Sequence, residues 1–141
     1  MRPILSLITK CETYCLYACQ HLEHSNGWIP RFTVIIALKN HHAKFFLYNS
    51  VDNVAPGTVV NNTICHPTKN DFFMCAHAVP AGIAQPRHYE VYRDEIGYST
   101  DEMQELVHSL SYVSQRSTTA ISDVAPIRHA QLAAKQMSQL R

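Results

Sequence analysis

The run FTVIIALKNHHAKFF, residues 32–46, decides the architecture. Its first seven residues, Phe32 to Leu38, are apolar or β-branched on both alternating faces. A strand with one wet face alternates apolar with polar positions, whereas a run apolar on both faces fits a central strand covered on each side. The sequence therefore predicts a sheet with helices packed on it. Directly after the run come Lys39, His41, His42 and Lys44. Three readings of the histidine pair stand here: metal ligands, solvated loop residues, or donors for an anion held at a strand end between the two lysines. Neighbouring side chains of a continuing strand point to opposite faces. A metal site would therefore need a turn and partners from Cys65, His66, Cys75 or His77, whose spacing matches no zinc pattern.

On either side of this run the chain alternates between structure types. Ile4, Ile8, Cys11, Cys15, Ala18 and Leu22 step by fours and threes and predict a helix over 4–24, stopped by Asn26-Gly27 and Pro30. Further strands are expected at 44–48, 58–65, 71–78 and 89–93, with a turn at HPTKN (66–70) and loops at 51–57 and 79–87. Ser99 followed by Glu102 just before Met103 is a capping box, worth about 1 kcal/mol. It opens a helix whose buried stripe reads Met103, Leu106, Val107, Leu110, Val113. A last helix is expected over 125–140, with Pro126 in its first turn and Leu132, Ala133, Met137 and Leu140 facing inward. Helix, strands, then two helices give a mixed α/β domain.

Composition narrows the function. The 141 residues suffice for one core; 46% are hydrophobic and 16% charged, which is globular. A net charge of +1 gives no global field toward nucleic acid, so any basic patch is local. Five cysteines without a framework pattern point to reduced thiols inside the cell. Cys11, Cys15 and Cys19 share a helix face, which favours packing over zinc. Lys10 and Glu12 interrupt the short apolar N-terminus, and no run approaches the ~20 apolar residues of a membrane helix. The acids Asp71, Asp94, Glu95, Asp101, Glu102 and Asp123 form no evident pair on neighbouring strands, and no GxSxG or Walker motif occurs, which argues against catalysis. Asp71, at a strand start, suits capping or bridging. Arg116 with Ser117, Thr118 and Thr119, then Arg128, His129 and Lys135, reads equally as a phosphate cradle or as helix capping beside a polar loop.

PGTVVNNTICHP (56–67), NDFFMCAHA (70–78), HYEVYRDEIGYSTDEMQELVHSLSYVSQRSTTAISDVAPI (88–127) and the opening run resemble the second half of the PIWI domain of argonautes. The resemblance covers about residues 15–140. It is strongest to the plant clade serving RNA-directed DNA methylation. It divides the chain into a helical, poorly matched leader, 1–30, and the C-terminal part of the domain, 31–141. It implies an RNase H-like fold, mixed sheet flanked by helices, and a small guide RNA held by its backbone so that base edges stay free for a target.

By that resemblance Lys39, His42, Lys44, His77, Arg116 and Ser122 match positions near guide phosphates, and Arg128 and Lys135 restore some charge. Gln85, Thr119 and Gln136 stand where many members have arginine; Ser114 and Arg128 stand where many have tyrosine. Slicing members hold two metal ions on three acids and a histidine. No resident cofactor is implied here, Mg entering only for a slicer complemented by missing acids. Two of those acids lie on strands upstream of the matched region, and the third in an RDG-like motif ahead of the first helix. Gln131 takes the histidine's place, and His129 is about 200° away around the helix. A truncated product or a partial gene model is expected, either marginal alone or paired with another copy or a partner. The implied partners are guide RNA with its paired target, the remaining argonaute domains and WG/GW-rich proteins, without a membrane, in nucleus or cytoplasm. A slicer half and an RNA-free interaction remnant are the alternatives.

Overall fold

The run Asp71–Cys75, DFFMC, is buried at all five positions and is one of the two inner strands of the sheet. The computed structural model describes residues 2–21, 29–79 and 82–139. In chain order the elements are α1 (Arg2–His21), β1 (Thr33–Leu38), β2 (Thr58–Val60), β3 (Asp71–Cys75), β4 (Arg87–Asp94), α2 (Thr100–Leu110) and α3 (Ala125–Gln139). The four strands lie in the order β1-β4-β3-β2. β3 runs antiparallel to both neighbours, with Val59 opposite Met74 and Phe72 opposite Tyr89. The strand expected at the centre, β1, is thus an edge of this sheet, and its residues are half-buried.

The two faces of β3 do different work. Phe72, Met74 and the following Ala76 join Tyr89, Met103, Val107 and Val124 in the core, flanked by Ile35, Val59, Val91 and Leu106. Fully burying such side chains contributes about 1.5–3 kcal/mol each. On the other face Phe73 stacks on His88, with ring centroids 4.3 Å apart, and meets the edges of His41 and Phe45. Asp71 bridges as its position led one to expect. It accepts from the His66 amide at 2.9 Å and from His88 Nε2 at 2.9 Å.

The capping box of α2 forms in full: the Ser99 hydroxyl accepts from the Glu102 amide, and the Glu102 carboxylate accepts from the Ser99 amide at 2.8 Å. Met103 and Val107 are buried, and Leu106 and Leu110 pack against the same core. Val113 lies past the helix and is exposed, because Ser111 ends α2 two residues earlier.

Other expectations need correction. Residues 44–48 form no strand; Phe46 makes a single bridge to Asn53. The strand expected over 58–65 stops at Val60 and that over 71–78 at Cys75. β4 is longer than expected. α3 exposes Ala133 and Met137 and half-buries Leu132; its core contact comes from Ala125 and Ile127 at its start. Leu140 lies outside the described residues, as do Leu22, the Asn26-Gly27 stop and the 80–81 part of the proline-rich loop.

The chain divides into two compact units, one of Met1–Val34 with Arg93–Gly97 and one of the remainder. In the first, the half-buried stripe of α1 is Ile8, Glu12, Leu16 and Cys19, while Cys11, Cys15 and Ala18 are exposed. The expected stripe is therefore rotated. The reason is polar: Arg93 Nη1 donates to Glu12 at 3.1 Å while its Nη2 pairs with Glu95, so Glu12 turns inward with the apolar residues. Glu95 in turn accepts from the Phe32 amide at 2.8 Å.

Candidate nucleic-acid interface

Where β1 and β3 end, where β4 begins and where α3 starts, polar side chains gather in the second unit. Val124 is buried in the core and fixes the start of α3; its carbonyl accepts from the Ile127 and Arg128 amides. The Ile121 amide donates to the Ser111 carbonyl at 3.0 Å, tying the connecting loop to the end of α2. Within that loop the Ser117 hydroxyl donates to the Thr119 carbonyl at 2.8 Å and accepts from the Thr119 amide, a local turn that holds the segment without helix or strand.

These elements enclose a cleft of about 550 Å³. His77, Arg116, Ser122 and Arg128 all line it, with Ser114, Asp123, His129 and Gln136. Four side chains separated by up to about a third of the chain thus converge, as an anion cradle requires. Arg116 and Arg128 are exposed and make no ion pair among the described residues. Burial first, and then the charge of Arg87, push His77 below the usual imidazole range, with Asp123 opposing. His77 is therefore mostly neutral near pH 7.

Lys39 lies outside the lining of this cleft. Its ammonium donates to Asp123 Oδ2 at 2.6 Å, and Arg87 Nε donates to Asp123 Oδ1 at 2.7 Å. Burial raises the Asp123 carboxyl, but the hydrogen bonds and charges of Lys39 and Arg87 outweigh it and hold it below its ordinary value. Tyr89, buried beside this group, is pushed up to about 12, by burial first and then by Asp123. Arg87 and Asp123 were missed as site residues because 36 residues separate them, and Lys39 is 84 residues from Asp123. No spacing rule links such positions.

His42 and Lys44 are exposed and do not line the cleft. His41 faces inward: its Nε2 donates to the Pro86 carbonyl at 2.9 Å, so one of the pair packs and the other stays in solvent. Gln131 is exposed and outside the cleft lining. Among the described residues no cluster of three or more histidine, cysteine or acid side chains could hold a metal ion. Among them, too, no helix is long and apolar enough to cross a membrane.

A sheet backed by α2 and α3, with a cationic cleft at its strand ends, defines an RNase H-like lobe of the PIWI type. Solved structures agree. The C-terminal lobe of a budding yeast Argonaute superposes with a TM-score of 0.82 at 27% identity, over 91% of this chain and 28% of that one. Kluyveromyces polysporus Argonaute with a guide RNA gives the same score and identity, over 91% of this chain and 16% of that one. The Piwi domain family model matches residues 6–140, and the chain belongs to that family. Among its relatives, Protein argonaute 4A of Oryza sativa subsp. japonica is 62% identical over 122 residues, 86% of this chain. Protein argonaute 9 of Arabidopsis thaliana is 58% identical over the same share. The chain spans 13% of the length of each.

Proposed function

We propose that this chain holds the sugar-phosphate backbone of a small guide RNA within small-RNA-guided silencing. One observation carries the reading: His77, Arg116, Ser122 and Arg128 line a single cleft. Two guanidiniums, a hydroxyl and a proton-accepting imidazole match phosphate oxygens and read no base edge, which suits a protein that accepts many guides. The guide RNA in the Kluyveromyces polysporus Argonaute structure supports it. Slicing is not part of the proposal. An amide such as Gln131 is a poor metal ligand and carries no proton useful to hydrolysis. The paired target, WG/GW-rich proteins and the remaining argonaute domains are the partners proposed with it, in nucleus or cytoplasm.

The test is fluorescence anisotropy with short labelled single-stranded RNAs of unrelated sequence. Equal affinities that fall steeply with salt are expected, with a slope near 0.7 per phosphate contact. Affinity that follows base sequence, or that ignores salt, contradicts the proposal.

A further inference from the structure

Asp123 stands in the wall of the cleft, whereas Lys39 and Arg87, the cations it binds, are outside the lining. Both carboxylate oxygens are committed, Oδ2 to Lys39 and Oδ1 to Arg87. A phosphate presents two non-bridging oxygens in a similar way. We infer that Asp123 is an internal counter-anion, occupying the two cations that an RNA phosphate would otherwise recruit and so setting how tightly the cleft grips RNA. The inference rests on the RNA-backbone reading of the same cleft.

The physical argument is one of charge and position. Asp123 is only 8% exposed, so its interaction with the two cations is little screened by solvent. The triad keeps one net positive charge, where Lys39 and Arg87 alone would offer two. A phosphate entering the cleft meets a carboxylate before it meets either cation, and like charges repel. Arg116 and Arg128, without such a partner among the described residues, make the first contacts. Lys39 and Arg87 are recruited only when the carboxylate is neutralised or displaced. Asp123 therefore acts through the cations and is a positioning residue with an inhibitory sense.

The experiment compares the full 141-residue chain with its Asp123→Asn variant, which keeps the shape and loses the charge. Binding of a labelled single-stranded RNA is followed by anisotropy across a KCl series, with near-UV circular dichroism to establish folding. The variant is expected to bind at least about fivefold more tightly at low salt. Its salt slope should steepen by about 0.7 for each cation released. A purely structural role for Asp123 would leave that slope unchanged. A folded variant whose affinity and slope match or fall below those of the parent overturns the inference while the RNA reading stands. Absence of binding by both chains overturns the RNA reading and the inference with it. Binding by the variant alone supports both. Should Asp123→Asn not fold, Asp123→Ser is read against the same outcomes.

Discussion

Replacing Arg116 and Arg128 together by glutamine removes the two guanidiniums of the cleft that pair with no acid among the described residues. Both are exposed, so each substitution leaves the core of Phe72, Met74, Met103 and Val107 intact and the melting temperature within a degree or two. The magnitude follows from the geometry. Each arginine is free to meet one phosphate of a single strand, and each lost contact reduces the salt slope by about 0.7, about 1.4 for the pair. Solvent exposure limits the affinity lost to roughly fivefold per arginine at ordinary ionic strength, and roughly 25-fold for both. Anisotropy titrations at four or more salt concentrations measure affinity and slope together. An affinity that drops with no change in slope would mean the arginines act on structure. No change in either would place the RNA elsewhere and refute the reasoning.

Other outcomes are as definite. RNA affinity should rise as pH falls below about 6.5, because His77 is held below its ordinary range in the free chain and takes up a proton when phosphate arrives; His77→Asn should flatten that rise. Ser99→Ala should cost about 1 kcal/mol by urea unfolding, since the Glu102 amide loses the hydroxyl it donates to; a loss under a few tenths would mean the cap is idle. Brief alkylation should modify the exposed Cys11 and Cys15 well before Cys75, whose thiol is buried and pushed up by that burial; mass spectrometry showing Cys75 modified first would contradict the packing of β3.

Local grammar was legible and long-range pairing was not. The capping box of α2 is written in four consecutive residues, and it forms as read. The apolar run 32–38 does make a strand, but its place at a sheet edge depends on which strands pair, which its own composition does not encode. Residues 44–48 carry strand-like side chains and still make only one bridge, because tertiary pairing overrides propensity. In α1 the stripe turned on one salt bridge from Arg93, 81 residues away, which drew Glu12 inward against the hydrophobic pattern. The site divides in the same way. His77, Arg116, Ser122 and Arg128 were named through the resemblance, and folding brings them to one cleft. Lys39 was named too, but its engagement with Asp123 and Arg87 is a tertiary fact. The histidine pair splits, His41 packing on Phe73 and Pro86 while His42 remains in solvent.

Backbone amide shifts, followed by NMR as unlabelled single-stranded RNA is titrated into the isotopically labelled chain, test most directly where the nucleic acid sits. The account predicts that the largest changes fall on His77, Arg116, Ser122 and Arg128 and recur with RNAs of unrelated sequence. Changes concentrated on the exposed apolar segment at Leu47, Tyr48 and Val51, or scattered over α1, with the cleft silent, would contradict it.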